Sequence, residues 1–210
     1  METFAFQSMT FSQRLLGHLK TVCKHKLYVA QGCFKCGLYY QGITHDLSKF
    51  YPSEFFVGVR YYDGHKSPNA VQRRINEGCS TAWLHHKGRN RHHFEYWIDY
   101  AAFNNRTVYG NRMPMRYVVE MVCDRRAACI AYQGRDYSPA SPWEHYLISR
   151  RHLIMNDDTR CVLEKCLRLM MDEGEDACFK YMRSLLDITK GRDYSAELLG
   201  LPKSEVEVIY

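Results

Sequence analysis

The sequence predicts an all-α protein that folds as one compact domain. Apolar residues recur at steps of three and four through most of the 210 residues, whereas the alternation typical of strands is weak. No internal repeat, low-complexity tract or long Pro/Gly linker divides the chain. A hydrophobic content of 46% suits a single buried core. We therefore expect one domain over residues 1–210, with additional helices from about residue 140 to residue 210.

The first helix is predicted from residue 12 to about residue 30. One of its faces carries apolar residues together with two histidines, at the spacing of a helix that packs against a core. The members of this face are Leu15, His18, Val22, His25 and Val29. His25 is thereby expected to point into the core, and His18 is interpreted as a structural residue.

The next helices are predicted from their start signals. Thr44 is suited to cap a helix that carries His45 and Asp46, because its hydroxyl can accept a bond from the free N–H groups of the first turn. Pro52 interrupts this segment, and a new helix begins near Ser53. Two further helices are expected over residues 67–86 and 91–104.

The second half of the chain continues in the same pattern. Pro114 stands in the first turn of a predicted helix over residues 113–132, which sets Asp124 into an otherwise apolar face. Later helices are predicted over residues 143–154, from a cap at Asn156 or Asp157 to residue 169, and over residues 177–188.

Composition limits the classes of function. The net charge of +6 suits a small anionic substrate as well as a nucleic acid and does not choose between them. No recognised nucleic-acid-binding motif is present, so we do not expect a nucleic-acid partner. No run of about 18 apolar residues and no secretory signal is visible, which predicts a cytoplasmic protein without membrane contact. The nine scattered cysteines are interpreted as reduced thiols. "CFKC" lacks the second CxxC of a common zinc site.

Several groups that are costly to bury fall on these apolar helical faces: His25, the pair His45 and Asp46, and Asp124. A buried carboxylate needs a partner or a cation, and a divalent metal held by imidazoles and carboxylates satisfies all of these groups together. Four more histidines lie in "HHKGRNRHH" at residues 85–93. Histidines seven residues apart on an unbroken helix stand about 10 Å apart. A break at Gly88 or Asn90 would let them converge on one or two ions.

This order of residues resembles the HD-domain superfamily of metal-dependent phosphohydrolases over residues 14–130. "HDLSK" resembles the HDxxK motif of that superfamily, and "HDLSKF" with "HHKGRNRHHFEYW" resembles an uncharacterised bacterial and phage branch of it. No GYP follows the histidine cluster, which sets the chain apart from cyclic-di-GMP hydrolases of the HD-GYP type. The resemblance implies the metal ligands His25, His45, Asp46 and Asp124, with one of His85 and His86 and one of His92 and His93.

The resemblance also implies an activity. One or two ions of Fe, Mn, Zn or Co would activate a water molecule to hydrolyse a nucleotide or another small phosphoester. Asp46 would bridge the ions, while Lys49 and an arginine, Arg89 being a candidate with Arg91 and Arg125, would stabilise the phosphate charge. Glu95 and Glu120 would orient ligand histidines from outside.

Two other classes of function are compatible with these residues. The same superfamily includes diiron oxygenases, and a site made only of histidines and carboxylates suits iron. Alternatively, the protein is a non-catalytic metal-binding or nucleic-acid-binding module. His65, His145 and His152 have polar neighbours and are interpreted as surface residues. The sequence permits a homo-oligomer and leaves the role of the C-terminal segment open.

Overall fold

The computed structural model describes residues 8–76, 78–100 and 108–202. In this part of the chain, nine α-helices account for most residues, and one short antiparallel sheet is the only extended structure. The predicted all-α class is confirmed. The helices are α1 Phe11–Lys35, α2 Tyr39–Thr44, α3 Pro52–Arg60, α4 Pro68–Ile75, α5 Thr81–Lys87, α6 Met115–Gln133, α7 Ser141–Ser149, α8 Asp157–Glu173 and α9 Glu175–Thr189, and the strands are β1 Ile98–Tyr100 and β2 Val108–Gly110.

One hydrophobic core joins the two halves of the chain. Helices α1 and α6 pack against each other at its centre, and α7, α8 and α9 contribute to the same cluster of buried side chains. Val29 of α1, Val122 of α6, Leu167 of α8 and Met182 of α9 are each fully buried within it. The C-terminal helices therefore complete the core on which α1 and α6 are positioned.

Helix α1 forms as its pattern predicts and extends further at its C-terminus. Thr10 caps it in a capping box with Gln13, in which each side chain bonds the other residue's backbone N–H. His18, Val22, His25 and Val29 are buried along one face, as expected. Because α1 packs along α6, this face brings His25 to the helix that carries Asp124.

Four predicted helices are wrong in their extent. The helix predicted over residues 143–154 is α7, which ends at Ser149 and is followed by a 3-10 turn over Arg150–His152. Thr44 ends α2 instead of beginning a helix, and its hydroxyl donates to the Tyr40 carbonyl one turn earlier. The predicted helix 67–86 is divided into α4 and α5, because Gly78 adopts a φ of 108° and Ser80 caps a new helix. The predicted helix 91–104 is a short 3-10 turn followed by β1, and residues 101–104 lie outside the described part.

The small hairpin fills the place of that predicted helix. Ile98 to Tyr100 pair antiparallel with Val108 to Gly110. Gly110 is required there, because a Cβ at this position would lie 2.7 Å from the Asn156 backbone nitrogen. The hairpin is thus fitted against the start of α8.

Seven of the nine cysteines are buried, whereas Cys23 and Cys79 are exposed. All nine are free thiols, and Cys33 and Cys36 of "CFKC" are buried in the apolar cluster. Among the described residues, none of the groupings with metal-ligand spacing includes a cysteine. No helix in the described ranges has the length and apolar content needed to cross a membrane.

Candidate metal centre

The backbone after α2 turns His45 and Asp46 towards the protein interior. His45 has a φ of −48° and a ψ of 128°, which ends the helix. Asp46 has a φ of 52°, in the left-handed region that Asp and Asn tolerate better than other side chains with a Cβ. Both side chains are buried. The Lys26 ammonium donates to the His45 carbonyl and ties this segment to α1. Such unusual backbone conformations concentrate at functional sites.

A first group of possible ligands surrounds one oxygen of Asp46. The Nε2 atom of His25 lies 3.7 Å from Asp46 Oδ2 and 3.0 Å from Asp124 Oδ1. The Nε2 atom of His45 lies 3.4 Å from Asp46 Oδ2 and 3.5 Å from Asp124 Oδ1. One ligand atom from each of these four residues lies within 4.8 Å of the others. This group could hold one ion with two imidazoles and two carboxylates.

A second group surrounds the other oxygen of Asp46. The Nε2 atoms of His86 and His92 lie 3.3 Å and 3.4 Å from Asp46 Oδ1. His93 completes a group of four residues with ligand atoms within 4.8 Å of one another. Helix α5 ends at Lys87, so His86 stands at a helix end while His92 and His93 follow in the loop. Asp46 therefore belongs to both groups and could bridge two ions.

Buried polar atoms without a hydrogen-bond partner converge at this point. They are Asp46 Oδ1 and the Nε2 atoms of His45, His92 and His93. Asp46 Oδ2 and His25 Nε2 also have no well-aligned hydrogen bond, although Lys49 Nζ lies 2.6 Å from the first and Asp124 Oδ1 lies 3.0 Å from the second. Leaving a buried polar atom unsatisfied costs about 1–3 kcal/mol, and more where the group is charged. A metal ion bound by these lone pairs removes the penalty for several atoms together. The residues present thus fit one or two divalent transition metals.

Two glutamates bond to the Nδ1 atoms of three of these histidines, whose Nε2 atoms face the cluster. Glu120 Oε1 lies 2.9 Å from Nδ1 of His45 and 3.1 Å from Nδ1 of His92. Glu54 Oε2 lies 2.8 Å from Nδ1 of His86. An ionised carboxylate can only accept, so each Nδ1 donates its hydrogen, and the Nε2 atom that faces the cluster is the position on each ring where a metal would bind. This is the arrangement that orients metal-ligating histidines.

The charges within the cluster stabilise one another. Burial would raise the pKa of Asp46, but His45, Lys49 and His86 outweigh it and hold that pKa well below its usual range. Burial likewise opposes ionisation of Asp124, whose pKa is lowered well below normal by His25 and His45. Burial, reinforced by the charges of His92 and His86, lowers the pKa of His93 well below its ordinary value. Ionised Asp46 and Asp124 and a neutral His93 are in the protonation states that metal binding needs. Burial would lower the pKa of His45, but Asp46, Asp124 and Glu120 raise it well above its ordinary value, so a metal would displace a proton from that ring.

A cavity of about 630 Å³ opens onto the cluster. Its walls combine cluster residues with four basic side chains, and cavities of this size accept small-molecule ligands. The cluster residues in the wall are His25, Asp46, His86, His93 and Asp124, and the basic residues are Lys49, Lys66, Arg73 and Arg125. The site can therefore hold a small anion between metal ligands and cations.

Most of the residues expected from the sequence meet here. Lys49 Nζ lies 2.6 Å from Asp46 Oδ2. Burial would lower the pKa of Lys49, but Asp46 and Asp124 raise it above its usual value, so the ammonium stays charged. Arg125 lines the cavity, as proposed for a phosphate-stabilising arginine.

Two expected residues lie elsewhere, and a third lines the cavity without the expected contact. His85 directs Nδ1 to Glu54 Oε1 and belongs to none of the ligand groups, because adjacent residues on α5 point in different directions. Arg89 is exposed in the loop after α5 and does not line the cavity. Glu95 lines the cavity, and burial raises the pKa of its carboxyl, but in the described contacts it bonds no ligand histidine.

Other residues of the site were not expected from the sequence. Glu54 faces the cluster from the first turn of α3, and its only sequence signal was its place beside Pro52. Asn90 donates to the Ser48 hydroxyl at 2.8 Å and to the His86 carbonyl at 2.9 Å, which fixes the loop that carries His92. His65 and His145 are exposed, as predicted, yet both line the cavity.

The fold and the cluster define an all-α protein with a buried histidine–carboxylate centre. The chain belongs to a family of unknown function, DUF5662, whose profile matches residues 14–169. That range contains all the residues of both ligand groups. No curated protein and no solved structure matches the chain.

Proposed function

We propose that this protein is a metal-dependent phosphohydrolase that acts on a nucleotide or another small phosphoester. The observation that carries the proposal is the convergence of buried imidazole nitrogens and carboxylate oxygens on Asp46, at a cavity that also contains Lys49. The order of these residues along the chain, which resembles the HD-domain superfamily, supports it. All nine cysteines are free, which fits a reducing compartment such as the cytoplasm.

The two groups of candidate ligands would each hold one ion. One ion would be held by His25, His45, Asp46 and Asp124. A second ion would be held by Asp46 together with His86, His92 and His93. When bound, such ions lower the pKa of a water molecule and polarise phosphoryl oxygens.

Lys49 carries a permanent positive charge beside Asp46 and is placed to hold a phosphoryl oxygen, with Arg125 in the same wall. In the reaction, the water oxygen bonds to phosphorus while the ester P–O bond breaks. One water proton ends on the leaving alcohol, and the other stays on the released phosphate.

The first test is metal content measured together with phosphate release. Protein reconstituted with Mn, Fe, Co or Zn is expected to bind one to two equivalents and to release phosphate from a panel of phosphoesters. The variants His45→Ala and Asp46→Ala should lose both properties. His152→Ala, an exposed histidine outside the cavity, is the matched control and should keep both. Bound metal without any phosphate release from the panel would contradict the hydrolase.

A diiron oxygenase is the second candidate, because each ligand group contains only histidines and carboxylates, the donors that suit iron. Iron-loaded protein is therefore also assayed for oxygen consumption. Oxygen uptake without phosphate release would replace the first proposal with the second.

A further inference from the structure

Glu95 is a half-buried residue that lines the cavity without taking part in the metal centre. Its Oε2 atom is shielded from solvent and has no hydrogen-bond partner. Among the described residues, Glu95 belongs to none of the groups with metal-ligand spacing. A buried oxygen that is left unsatisfied destabilises the folded protein, so the position of this one requires an explanation.

The residues on both sides of Glu95 hold its backbone in place. Glu95 lies in the 3-10 turn Phe94–Trp97. Phe94 is buried in the apolar core, and Trp97 packs against that core. The Trp97 indole N–H also donates to the Arg91 carbonyl at 2.8 Å. Because both neighbours are anchored, the turn keeps the Glu95 carboxylate at the cavity.

The surroundings of Glu95 adjoin the metal centre. Glu95 follows His93, a member of the second ligand group, by two residues, so their Cα atoms lie at most about 7 Å apart. The ring of Trp83, which also lines the cavity, has its centroid 4.8 Å from that of His93. The Arg73 guanidinium lies 5.0 Å from the Trp83 centroid and acts electrostatically on Glu95. A substrate whose phosphate lies at the metal centre would therefore have its remaining atoms within reach of this side of the cavity.

The cations near Glu95 do not satisfy its carboxylate. Burial raises the pKa of this carboxyl, and the charges of Arg125, Lys87 and Arg73 offset the effect only in part. In the described part of the chain, none of these three cations forms an ion pair with Glu95. The described residues thus supply no donor to Oε2, and a donor on a bound ligand is the partner that suits this position.

We infer that Glu95 is a specificity-determining residue, whose Oε2 atom accepts a hydrogen bond from a hydroxyl or amino group outside the phosphate of the substrate. The cavity of about 630 Å³ is far larger than a phosphate group needs and suits a ligand of nucleotide size. A nucleotide offers both kinds of donor, namely the hydroxyls of its sugar and the amino group of its base. A phosphoester without such a donor leaves Oε2 unpaired and is selected against. This inference rests on the proposed function, since it names the group that the same site recognises.

Calorimetric titration in EDTA measures recognition without hydrolysis. The ligands are adenosine monophosphate, its dideoxy analogue, which lacks both sugar hydroxyls, and the ribonucleotide of unsubstituted purine, which lacks the amino group. The wild type should bind one of the two analogues about tenfold or more weakly than adenosine monophosphate, because that analogue leaves Oε2 unpaired. The analogue that is rejected identifies the donor.

Variants of Glu95 connect this discrimination to the carboxylate. Glu95→Ala should bind the rejected analogue and adenosine monophosphate alike, because the acceptor is gone. Glu95→Gln keeps one acceptor oxygen and should retain part of the discrimination. Glu144→Gln makes the same chemical change at an exposed position of α7 outside the cavity and should discriminate like the wild type. Equal binding of all three nucleotides by the wild type would overturn the inference.

Turnover by the metal-loaded protein distinguishes this inference from the hydrolase itself. p-Nitrophenyl phosphate has neither a hydroxyl nor an amino group to donate to Glu95. The ratio of kcat/KM for adenosine monophosphate to kcat/KM for p-nitrophenyl phosphate should therefore fall about tenfold or more in Glu95→Ala. An unchanged ratio, with both values lowered alike, would show that Glu95 only supports the metal centre and would overturn the inference. No turnover of either substrate by the wild type would remove the hydrolase, whereas the calorimetric comparison would still decide the role of Glu95.

Discussion

The Asp46 side chain belongs to both ligand groups. Its Oδ2 atom faces His25 and His45, and its Oδ1 atom faces His86 and His92. An imidazole presents a single nitrogen to the cluster, so only a carboxylate can contact two ions. The left-handed backbone at this residue brings both oxygens inward. The geometry at the scale of one residue therefore supports a two-ion centre.

Glu120 is expected to control metal affinity without touching a metal. One of its oxygens accepts from both His45 and His92, one histidine of each ligand group. Burial would raise the pKa of Glu120, but the two histidines lower it, so the carboxylate is charged. Glu120→Gln should weaken Mn²⁺ binding about 10–100-fold in a calorimetric titration. Glu144→Gln, exposed on α7, is the control and should bind like the wild type. Equal affinities in both variants would contradict this role.

His18 is expected to make the metal-free protein less stable in acid. Burial, helped by the nearby Lys49 charge, lowers the pKa of His18 from 6.5 to about 4. Above pH 6.5 the His18 ring is neutral in both the folded protein and the unfolded chain, so it does not change the free energy of unfolding. As the pH falls from 6.5 towards 4, the unfolded chain binds a proton that the folded protein does not. Stability should therefore fall by about 3 kcal/mol across that window.

Chemical denaturation in EDTA between pH 4 and 7 tests the contribution of His18. Other groups also titrate in this range, so the wild type is compared with His18→Gln. The free energy of unfolding of that variant should fall less steeply between pH 6.5 and pH 4. The depressed pKa values of Asp46 and Asp124 place the loss of their contributions below about pH 4. Parallel curves for the two proteins, or a His18 ring that titrates by NMR near pH 6.5, would refute the prediction.

The site residues were predicted from the sequence better than their individual roles. An imidazole or carboxylate on an apolar helical face is recognisable from periodicity, which is why His25 and Asp124 were expected in the cluster. The choice between His85 and His86 was not predictable, because it depends on where Glu54 of another helix stands. Arg89 was expected beside the phosphate, but it does not line the cavity. Nearness in sequence does not determine which side of a loop faces a cavity.

At the scale of elements, the ends of helices position the candidate ligands. Helix α2 ends one residue before His45, and α5 ends one residue after His86. The sequence predicted that helices exist in these regions but put Thr44 at the wrong end of one. A threonine can cap a helix or bond back to a carbonyl one turn earlier, and here the second contact is made. The β1–β2 hairpin was missed because three-residue strands carry too little pattern to distinguish them from a helix.

Close packing of α1 on α3 is expected to require glycine at position 58. A Cβ on Gly58 would lie 2.2 Å from Nε2 of His18, a buried ring that also packs against Phe55 and Tyr62. Gly58→Ala should lower the free energy of unfolding by about 1–3 kcal/mol, measured as a shift of the urea midpoint. Gly88→Ala is the control, since its Cβ would come no closer than 3.4 Å to the nearest atom. A Gly58→Ala variant as stable as the wild type would show that α1 and α3 can separate without cost.

At the scale of the whole molecule, the candidate metal centre joins segments that are distant in sequence. Its ligands come from α1, the turn after α2, the end of α5, the following loop and α6. The apolar core on the far side of α1 and α6 is completed by α7 to α9, which carry none of these ligands. The core is thus built to form without metal, while several buried imidazole and carboxylate atoms of the centre are left without a hydrogen-bond partner. This division predicts a folded but less stable metal-free protein.

Removal of metal is therefore expected to lower the melting temperature without unfolding the protein at 25 °C. A ligand present at 100 times its Kd stabilises the folded state by about 2.7 kcal/mol per site. For a protein of this size, that corresponds to about 5–10 °C per ion. Differential scanning calorimetry with Mn²⁺ and with EDTA measures the difference, and circular dichroism checks that helix content is kept. Asp46→Ala, which removes the shared ligand of both groups, should show no metal-dependent shift. A shift of equal size in that variant would mean that the ion binds elsewhere, and no shift in the wild type would argue that the histidines and carboxylates at Asp46 are structural.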